Sequence, residues 1–249
     1  MKLEKIIAVG NDRTVYRDGD LCIKVFNEDY SKAEVLSEAL NQALVEETGL
    51  NIPKIREVAM IEGKWAIVSD FIKGKMLSQL MEEDPDKKPE YLDQFIDLQL
   101  EIHSKTCPDL NGLYTQTSKE INKTDLEEYL RYNLHTRLNG MPRGNKLCHG
   151  YFNPTNVIIA EDGKAYILDW VHATQGNPLA DAAKTYLLFW LRGDINGATR
   201  YLDDFCKKSG APMQDIQRWM PVVAASQTLE GNEKEREFLH SWIKVFDYQ

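Results

Sequence analysis

The two residues with the strongest claim to chemistry are Asn156 and Asp169, thirteen positions apart. They bound two short apolar runs, residues 156–160 and 164–169, and between the runs stands Asp162-Gly163, the dipeptide that most strongly signals a two-residue hairpin turn. Such a turn puts Asn156, at the start of one strand, opposite Asp169, at the end of the other, with their Cβ atoms roughly 4.5–5.5 Å apart. An amide oxygen beside a carboxylate is a hard-oxygen pair of the kind that suits Mg²⁺, which takes one or two carboxylates together with substrate phosphates.

The residues around this pair extend the pattern: His149-Gly150-Tyr151, then Asn153-Pro154, Asn156, an apolar strand, Asp169-Trp170, and a segment from Gly176 to Asp181. Together they resemble the signature of the aminoglycoside phosphotransferase and choline kinase family, relatives of the protein kinases. One position departs from it. Where the family has His-Gly-Asp, with the Asp as catalytic base, this chain has Tyr151, and Asn153 and Thr155 stand where members usually carry His and Gly. The resemblance implies an ATP- or GTP-dependent phosphotransferase that uses Mg²⁺, held by Asn156 and Asp169, and acts on a hydroxyl of a small-molecule acceptor. Tyr151 leaves three readings open: a slow or base-independent kinase, a kinase with another base, and an inactive nucleotide-binding pseudokinase module. A phenol with an ordinary pKa of about 10 is protonated at neutral pH and makes a poor base.

The family's remaining functional positions map onto the N-terminal part. Lys24 sits in the run CIKVF, where a strand directs Cys22, Lys24 and Phe26 to one face and Ile23 and Val25 to the other. By resemblance Lys24 binds nucleotide phosphates and is oriented by a helix glutamate. Glu34 and Glu38 both qualify, and the separation from Lys24 favours Glu38. Ser69, Asp70 and Phe71, at the end of a later strand, are expected to present backbone N–H and C=O groups to the purine edge. His149 and Asp181 are expected to shape the loop that carries Tyr151, with His149 placed by the resemblance beside the catalytic position. His103, on the apolar stripe of a helix, reads as a core histidine.

These residues need a scaffold that the pattern also specifies. Residues 6–9, 14–16 and 21–26 read as strands, the last two joined at Asp18-Gly19, and the segment Gly10-Asn11-Asp12-Arg13-Thr14 lies where a kinase-like fold covers the phosphates. Residues 31–49 form a helix ending at Gly49, with Val35, Leu36, Ala39, Leu40, Ala43 and Leu44 as its apolar face. Two more strands around Glu62-Gly63 complete five. Helices follow: one before Pro85 and Pro89, which fall in a charged linker, one over residues 89–105, and one over residues 125–138. After Asp181 come candidate helices at residues 182–193, 195–210, 213–227 and 235–246, with Pro221 starting or kinking one. The predicted fold is α+β and two-lobed like a protein kinase. Residues 1–72 form a nucleotide-binding lobe of five antiparallel strands and a helix; residues 73–249 form a mainly helical lobe carrying the metal-site hairpin and the acceptor site.

Composition bounds the alternatives. A chain of 249 residues with 43% hydrophobic and 28% charged residues has the balance of a globular protein. Its net charge of −9 argues against a nucleic-acid partner, which would need a basic patch or stripe. Cys22, Cys107, Cys148 and Cys206 show neither zinc-ligand spacing nor a disulfide framework, and no apolar run is long enough to span a membrane or form a signal sequence. The sequence therefore predicts a cytoplasmic monomer or homodimer with no membrane partner.

Overall fold

The computed structural model describes residue 3, residues 5–10 and residues 12–244. Along the chain run β1 (Lys5–Val9), β2 (Arg13–Asp18), β3 (Leu21–Phe26), α1 (Lys32–Glu46), β4 (Ile55–Ile61), β5 (Lys64–Asp70), β6 (Gly74–Met76) and α2 (Leu77–Glu83). Next come α3 (Lys88–Ser104), α4 (Leu113–Lys123), α5 (Glu128–Gly140), β7 (Lys146–Cys148), β8 (Val157–Ala160), β9 (Ala165–Ile167) and β10 (Thr174–Gly176). The chain continues with α6 (Pro178–Leu191), α7 (Ile195–Ser209), α8 (Met213–Gln217), α9 (Met220–Gln227) and α10 (Glu233–Lys244). Two compact units result: Met1–Lys88 with Pro154–Ala173, and Pro89–Asn153 with Thr174–Gln249. A boundary between residues 72 and 73, as read from the sequence, differs from this division, because β6 pairs with β8 and keeps the hairpin in the first unit.

The first unit is built on the expected five-stranded antiparallel sheet, in the order β1-β2-β3-β5-β4. Period-two alternation sends Ile23 and Val25 to one face, where they pack with Ala66 and Val68. It sends Phe26 to the other, where Phe26 and Ile67 meet Val35 and Ala39 of α1. Lys24 shares that second face. The turn between β4 and β5 has Glu62 at φ 50° and Gly63 at φ 81°, the paired left-handed residues of a type I′ hairpin. Helix α1 begins in a capping box: Glu34 N donates to Ser31 Oγ, while Ser31 N donates to the Glu34 carboxylate.

The buried stripe of α1 differs from the expected one. Val35, Glu38, Ala39, Asn41 and Val45 face inward, whereas Leu36 and Leu40 are 45% and 57% exposed and Ala43 is exposed. Polar groups explain the rotation. Gln42 Nε2 donates to Pro53 O at 2.7 Å, Ile55 N donates to Glu46 Oε1 at 2.7 Å, and Glu38 turns toward Lys24. Facing Leu36 and Leu40 inward would strand these partners.

The hairpin also corrects the expected register. Val157 pairs with Ile167, Ile158 with Tyr166 and Ile159 with Ala165, so Asn156 lies opposite Leu168, one residue short of Asp169. The loop contains three residues rather than two: Ala160 N donates to Lys164 O, Gly163 N donates to Ala160 O, and Gly163 takes φ 83°. That is the type I turn with a left-handed glycine bulge, the next commonest hairpin after the two-residue kind. Asn156 ends a 3₁₀ turn, Pro154–Asn156, instead of starting a strand.

The second unit is helical apart from the β7–β10 pair. Its centre is α6, in which every residue from Ala180 to Phe189 is buried. A helix covered all round belongs at the middle of a bundle. Around it Phe95, Phe152, Phe189 and Tyr201 make an aromatic core, with Phe95 stacked on Phe152 at 4.3 Å. Pro89 lies inside the first turn of α3, which shortens the expected linker, and residues 213–227 split into α8 and α9 with Pro221 in the first turn of α9. Helix α4 was not anticipated: only Thr117 and Ile121 of it are buried, too few apolar positions to show a period. Of the helix expected at residues 235–246, residues 245 and 246 lie outside the described residues, as does Asn11 of the loop before β2.

Candidate active site

In the first unit four charged side chains converge. Lys24 Nζ lies 2.5 Å from Glu38 Oε1 and 3.3 Å from Asp169 Oδ1. Arg13 Nη1 lies 3.6 Å from both Glu38 Oε2 and Asp169 Oδ1, and its Nε is 3.2 Å from Asp12. Glu38 is buried at 3% side-chain exposure, while Lys24 and Asp169 keep 22% and 25%. The choice between the two helix glutamates is thereby made by geometry. Glu34 caps the helix, and one turn later Glu38 reaches the lysine.

Burial pushes the Lys24 ammonium toward deprotonation, but Asp169 and then Glu38 outweigh it and raise its pKa above the ordinary lysine value. Arg13 follows the same logic: burial opposes its charge, and Asp169, Glu38 and Asp12 more than restore it.

Asp169 itself is held in a left-handed conformation, φ 64°, uncommon outside glycine though tolerated by aspartate. The flanking segment is tied down on both sides. Leu168 N donates to Asn156 O at 2.8 Å, the Trp170 indole donates to Ile167 O at 3.2 Å with Trp170 fully buried, and Asn41 Nδ2 donates to Val171 O at 2.9 Å. Asn41 stands three residues after Glu38, so one helix face orients Lys24 and anchors the strap that carries Asp169. A mid-helix asparagine one turn from Glu38 was the available signal for it.

The strand end at Ser69, Asp70 and Phe71 differs from expectation. Asp70 N donates to Lys54 O at 3.0 Å and Phe71 N to Asp20 O at 2.8 Å, while Ser69 pairs with Cys22 and Ile55 across the sheet. Sheet bonds occupy the N–H groups of Asp70 and Phe71, so neither is an open donor for a base edge. The Asp70 carboxylate accepts from Arg56 Nε at 2.6 Å, and the Phe71 ring lies 4.1 Å beneath the Arg17 guanidinium.

The second unit holds the loop His149-Gly150-Tyr151. Asp181 on α6, 1% exposed, accepts from His149 N at 3.1 Å and Gly150 N at 2.7 Å, and His103 Nε2 lies 2.9 Å from the same carboxylate. Burial alone would raise the Asp181 pKa, yet the His103 hydrogen bond and charge, His149 and the Gly150 N–H hold it below the ordinary carboxylate value. Four residues on, Thr185 Oγ1 donates to Phe152 O at 3.0 Å and takes a bond from Gln99. His149 is fully buried, and its Nδ1 accepts from Tyr151 N at 3.2 Å. Both His149 and Asp181 therefore organise the loop backbone, with Gly150 at φ 81° supplying the bend.

Tyr151 is half-buried. Burial first, then Glu230, raises its phenol pKa against the opposing effects of Arg192 and a hydrogen bond with Gln227. The Lys184 ammonium lies 5.3 Å over its ring. Asn153 Nδ2 donates to Tyr151 O, and Arg192 Nη2 donates to Asn153 Oδ1 at 2.8 Å.

Among the described residues no group of three or more His, Cys, Asp or Glu side chains is arranged to hold a metal ion by itself, and no helix is long and apolar enough to cross a membrane. The model of the phosphotransferase enzyme family, APH, matches residues 5–222. Solved structures share the fold at low identity. A thermostable mutant of aminoglycoside phosphotransferase APH(4)-Ia superposes with a TM-score of 0.70 at 14% identity, covering 95% of this chain and 91% of that one. Choline kinase LicA from Streptococcus pneumoniae gives 0.66 at 15%, covering 99% and 94%. A choline/ethanolamine kinase family protein from Mesorhizobium loti gives 0.66 at 13%, covering 100% and 90%. No curated protein matches the chain.

Proposed function

This chain belongs to the phosphotransferase enzyme family, and from that premise we propose that it binds a magnesium nucleotide, ATP or GTP, and transfers the γ-phosphoryl group to a hydroxyl of a small-molecule acceptor. The observation that carries the proposal is the Lys24–Glu38–Asp169 cluster, with its 2.5 Å and 3.3 Å contacts. Phosphoryl transfer asks a protein for positioning and charge neutralisation more than for covalent chemistry. A lysine kept charged and fixed by a buried glutamate meets the first need. APH(4)-Ia has been crystallised with AMP-PNP and hygromycin B, and with ADP and hygromycin B, which supports nucleotide use and a small-molecule acceptor here.

In this reading Lys24 holds the phosphates, Glu38 fixes Lys24, and Asp169 with the Asn156 amide holds Mg²⁺. The donor set fits that ion in kind: an amide oxygen and one carboxylate are hard-oxygen ligands, which suit a metal that keeps waters and arrives with phosphates. When bound, Mg²⁺ supplies charge neutralisation on the transferring phosphates. Recognition of the purine edge is assigned to the backbone at the end of β5, at Ile72, between Phe71 N, which donates to Asp20 O, and Lys73 O, which accepts from Glu161 N. Asp181, through the N–H groups of His149 and Gly150, positions the loop that carries Tyr151.

Tyr151 favours a second reading, a nucleotide-binding module without turnover. Burial and Glu230 raise its phenol pKa above the ordinary tyrosine value, so at neutral pH it is protonated and a poor base. General-base help contributes typically 10²–10⁴-fold, out of total accelerations of at least about 10⁶, so its loss slows transfer without forbidding it.

The test is a γ-phosphate transfer and release assay with Mg-ATP and Mg-GTP across aminoglycosides, choline, sugars and nucleosides, run on the native chain, Asp169→Asn and Tyr151→Asp. A native rate that disappears in Asp169→Asn establishes a working kinase. Activity seen only in Tyr151→Asp establishes the module reading. A ligand at 100 times its Kd stabilises a protein by about 2.7 kcal/mol, and the absence of any thermal shift at millimolar Mg-nucleotide would overturn both.

A further inference from the structure

Nothing in the family match assigns Arg13, yet strand geometry puts it among the groups that handle phosphate. In the β2–β3 ladder Arg13 lies opposite Phe26 and Val15 opposite Lys24. Directly opposed residues share a face, and residues 24 and 26 of one strand share it too, so Arg13 is the diagonal neighbour of Lys24 on the side covered by α1. Arg13 is also the first strand residue after the turn at Gly10, where Gly10 N donates to Arg13 O at 2.8 Å.

We propose that Arg13 is a second phosphate-binding cation of the nucleotide site, donating its guanidinium N–H groups to oxygens of a polyphosphate beside Lys24. The inference rests on the nucleotide reading given above.

Two observations point to an anionic ligand. The first is an unmade bond. Arg13 Nη1 is buried and has no hydrogen-bond partner, although Glu38 Oε2, also buried and without one, is only 3.6 Å away. A buried guanidinium N–H left unpaired is costly, and here the nearest acceptors, Glu38 and Asp169, stand just beyond bonding distance. An incoming phosphate oxygen would satisfy it, and guanidinium geometry matches phosphate in a two-pronged bond that an ammonium cannot make.

The second observation is the charge balance. Glu38 already has a partner at 2.5 Å in Lys24, so neutralising that glutamate does not call for an arginine. Lys24 and Arg13 are balanced by Glu38 and Asp169, and Asp12, at 3.2 Å from Arg13 Nε, adds one negative charge at the more exposed edge of the cluster. If Asp169 turns to a divalent cation, both basic side chains lose part of their counter-charge, and the surplus positive charge matches a polyphosphate. An uncharged nucleoside offers nothing for it.

The experiment measures binding of Mg-ATP, Mg-ADP and adenosine to the full chain by calorimetry and thermal shift, in the native protein, Arg13→Gln, Arg13→Lys and Lys24→Met. Arg13→Gln is expected to weaken Mg-ATP about tenfold or more, the scale of a charge-assisted bond, while adenosine binds as before. Arg13→Lys, which keeps the charge and loses the fork, should recover part of the affinity. Native-like or tighter Mg-ATP binding by Arg13→Gln, with Lys24→Met impaired, would overturn the proposal and make Arg13 a structural counter-ion of Asp169. An equal loss for adenosine and Mg-ATP would overturn it as well, because Arg13 would then be maintaining the shape of the site. Failure of the nucleotide reading is distinguishable, since in that case the native protein binds neither Mg-nucleotide.

Discussion

Replacing Asp181 tests whether one carboxylate holds the loop that carries Tyr151. An ionised carboxylate only accepts hydrogen bonds, so the three groups facing Asp181, His149 N, Gly150 N and His103 Nε2, are all donors. Asp181→Ala leaves them without an acceptor in a buried setting, where each unsatisfied donor costs about 1–3 kcal/mol. Some repair by water entering the space makes about 3–5 kcal/mol in total the expected loss, a large share of the ~5–15 kcal/mol by which folded proteins are stable. In urea denaturation followed by circular dichroism, with a slope of about 3 kcal/mol per molar, the midpoint falls by about 1–1.7 M.

Asp181→Asn sharpens the test. Its carbonyl replaces one acceptor, but its amide group points donors at donors, so the loss should stay within about 1 kcal/mol of the Ala variant. A midpoint for Asp181→Asn indistinguishable from the native one would refute the claim that the carboxylate organises the loop. The pH dependence follows from the same contacts. The folded-state pKa of Asp181 is depressed relative to the unfolded chain, where an aspartate titrates near about 3.9. Its contribution is therefore fully present above that value and is lost as pH falls through the lower folded-state pKa. Asp181→Asn should lack this part of the acid-induced loss of stability.

Two further perturbations address the first unit. A Cβ on Gly74 would stand 2.2 Å from Ile159 O and 2.8 Å from Ala160 Cα, both backbone atoms of the paired strand, so Gly74→Ala should lower stability by about 1–3 kcal/mol; an unchanged melting temperature would show that β6 and β8 can separate freely. Glu38→Gln keeps the side-chain size but replaces the carboxylate beside Lys24, so it should weaken Mg-nucleotide binding; Glu34→Gln keeps a capping-box residue and should leave binding unchanged, and equal effects of the two would remove the distinction drawn between them.

Much of this arrangement could be read from the sequence where a local rule had no competitor. Strand alternation in CIKVF placed Lys24 on the face opposite Ile23 and Val25, and Glu62-Gly63 fixed the β4–β5 turn. The Asp162-Gly163 hairpin shows the limit of such rules. The same dipeptide fits a two-residue turn or the end of a three-residue loop, and the difference is a single residue of register. In a strand, one residue is enough to reverse which side chains share a face. At the open end Asn156 sits in a 3₁₀ turn and Asp169 in a left-handed bend, and neither position follows strand alternation. Arg13 falls within the segment that the resemblance lays over the phosphates, but nothing in the sequence singles it out there: the segment carries one glycine, and an arginine on a short strand ordinarily reads as solvated.

Helix α1 shows why apolar spacing alone misjudged which side is buried. Counting Val35, Leu36, Ala39, Leu40, Ala43 and Leu44 assumes that the helix is oriented by hydrophobic area, at about 25 cal/mol per Å². Four polar side chains compete with that assumption: Glu38 on Lys24, Asn41 on Val171 O, Gln42 on Pro53 O and Glu46 on Ile55 N. They recur at the three- and four-residue spacing of a single helix face. Exposing Leu36 and Leu40 forgoes about 1.5–3 kcal/mol for each fully buried side chain, whereas turning the helix to bury them would leave a partly buried ammonium without its carboxylate and three backbone groups without partners. Because losing the 2.5 Å ion pair, which leaves Lys24 to Asp169 at 3.3 Å, together with three unmet backbone groups outweighs two leucines left in water, the face of α1 is chosen by the polar contacts it must make. The exposed leucines are thus the visible consequence of holding Glu38 on Lys24, and the hydrophobic count departs from the structure at the residues on which the proposed chemistry depends.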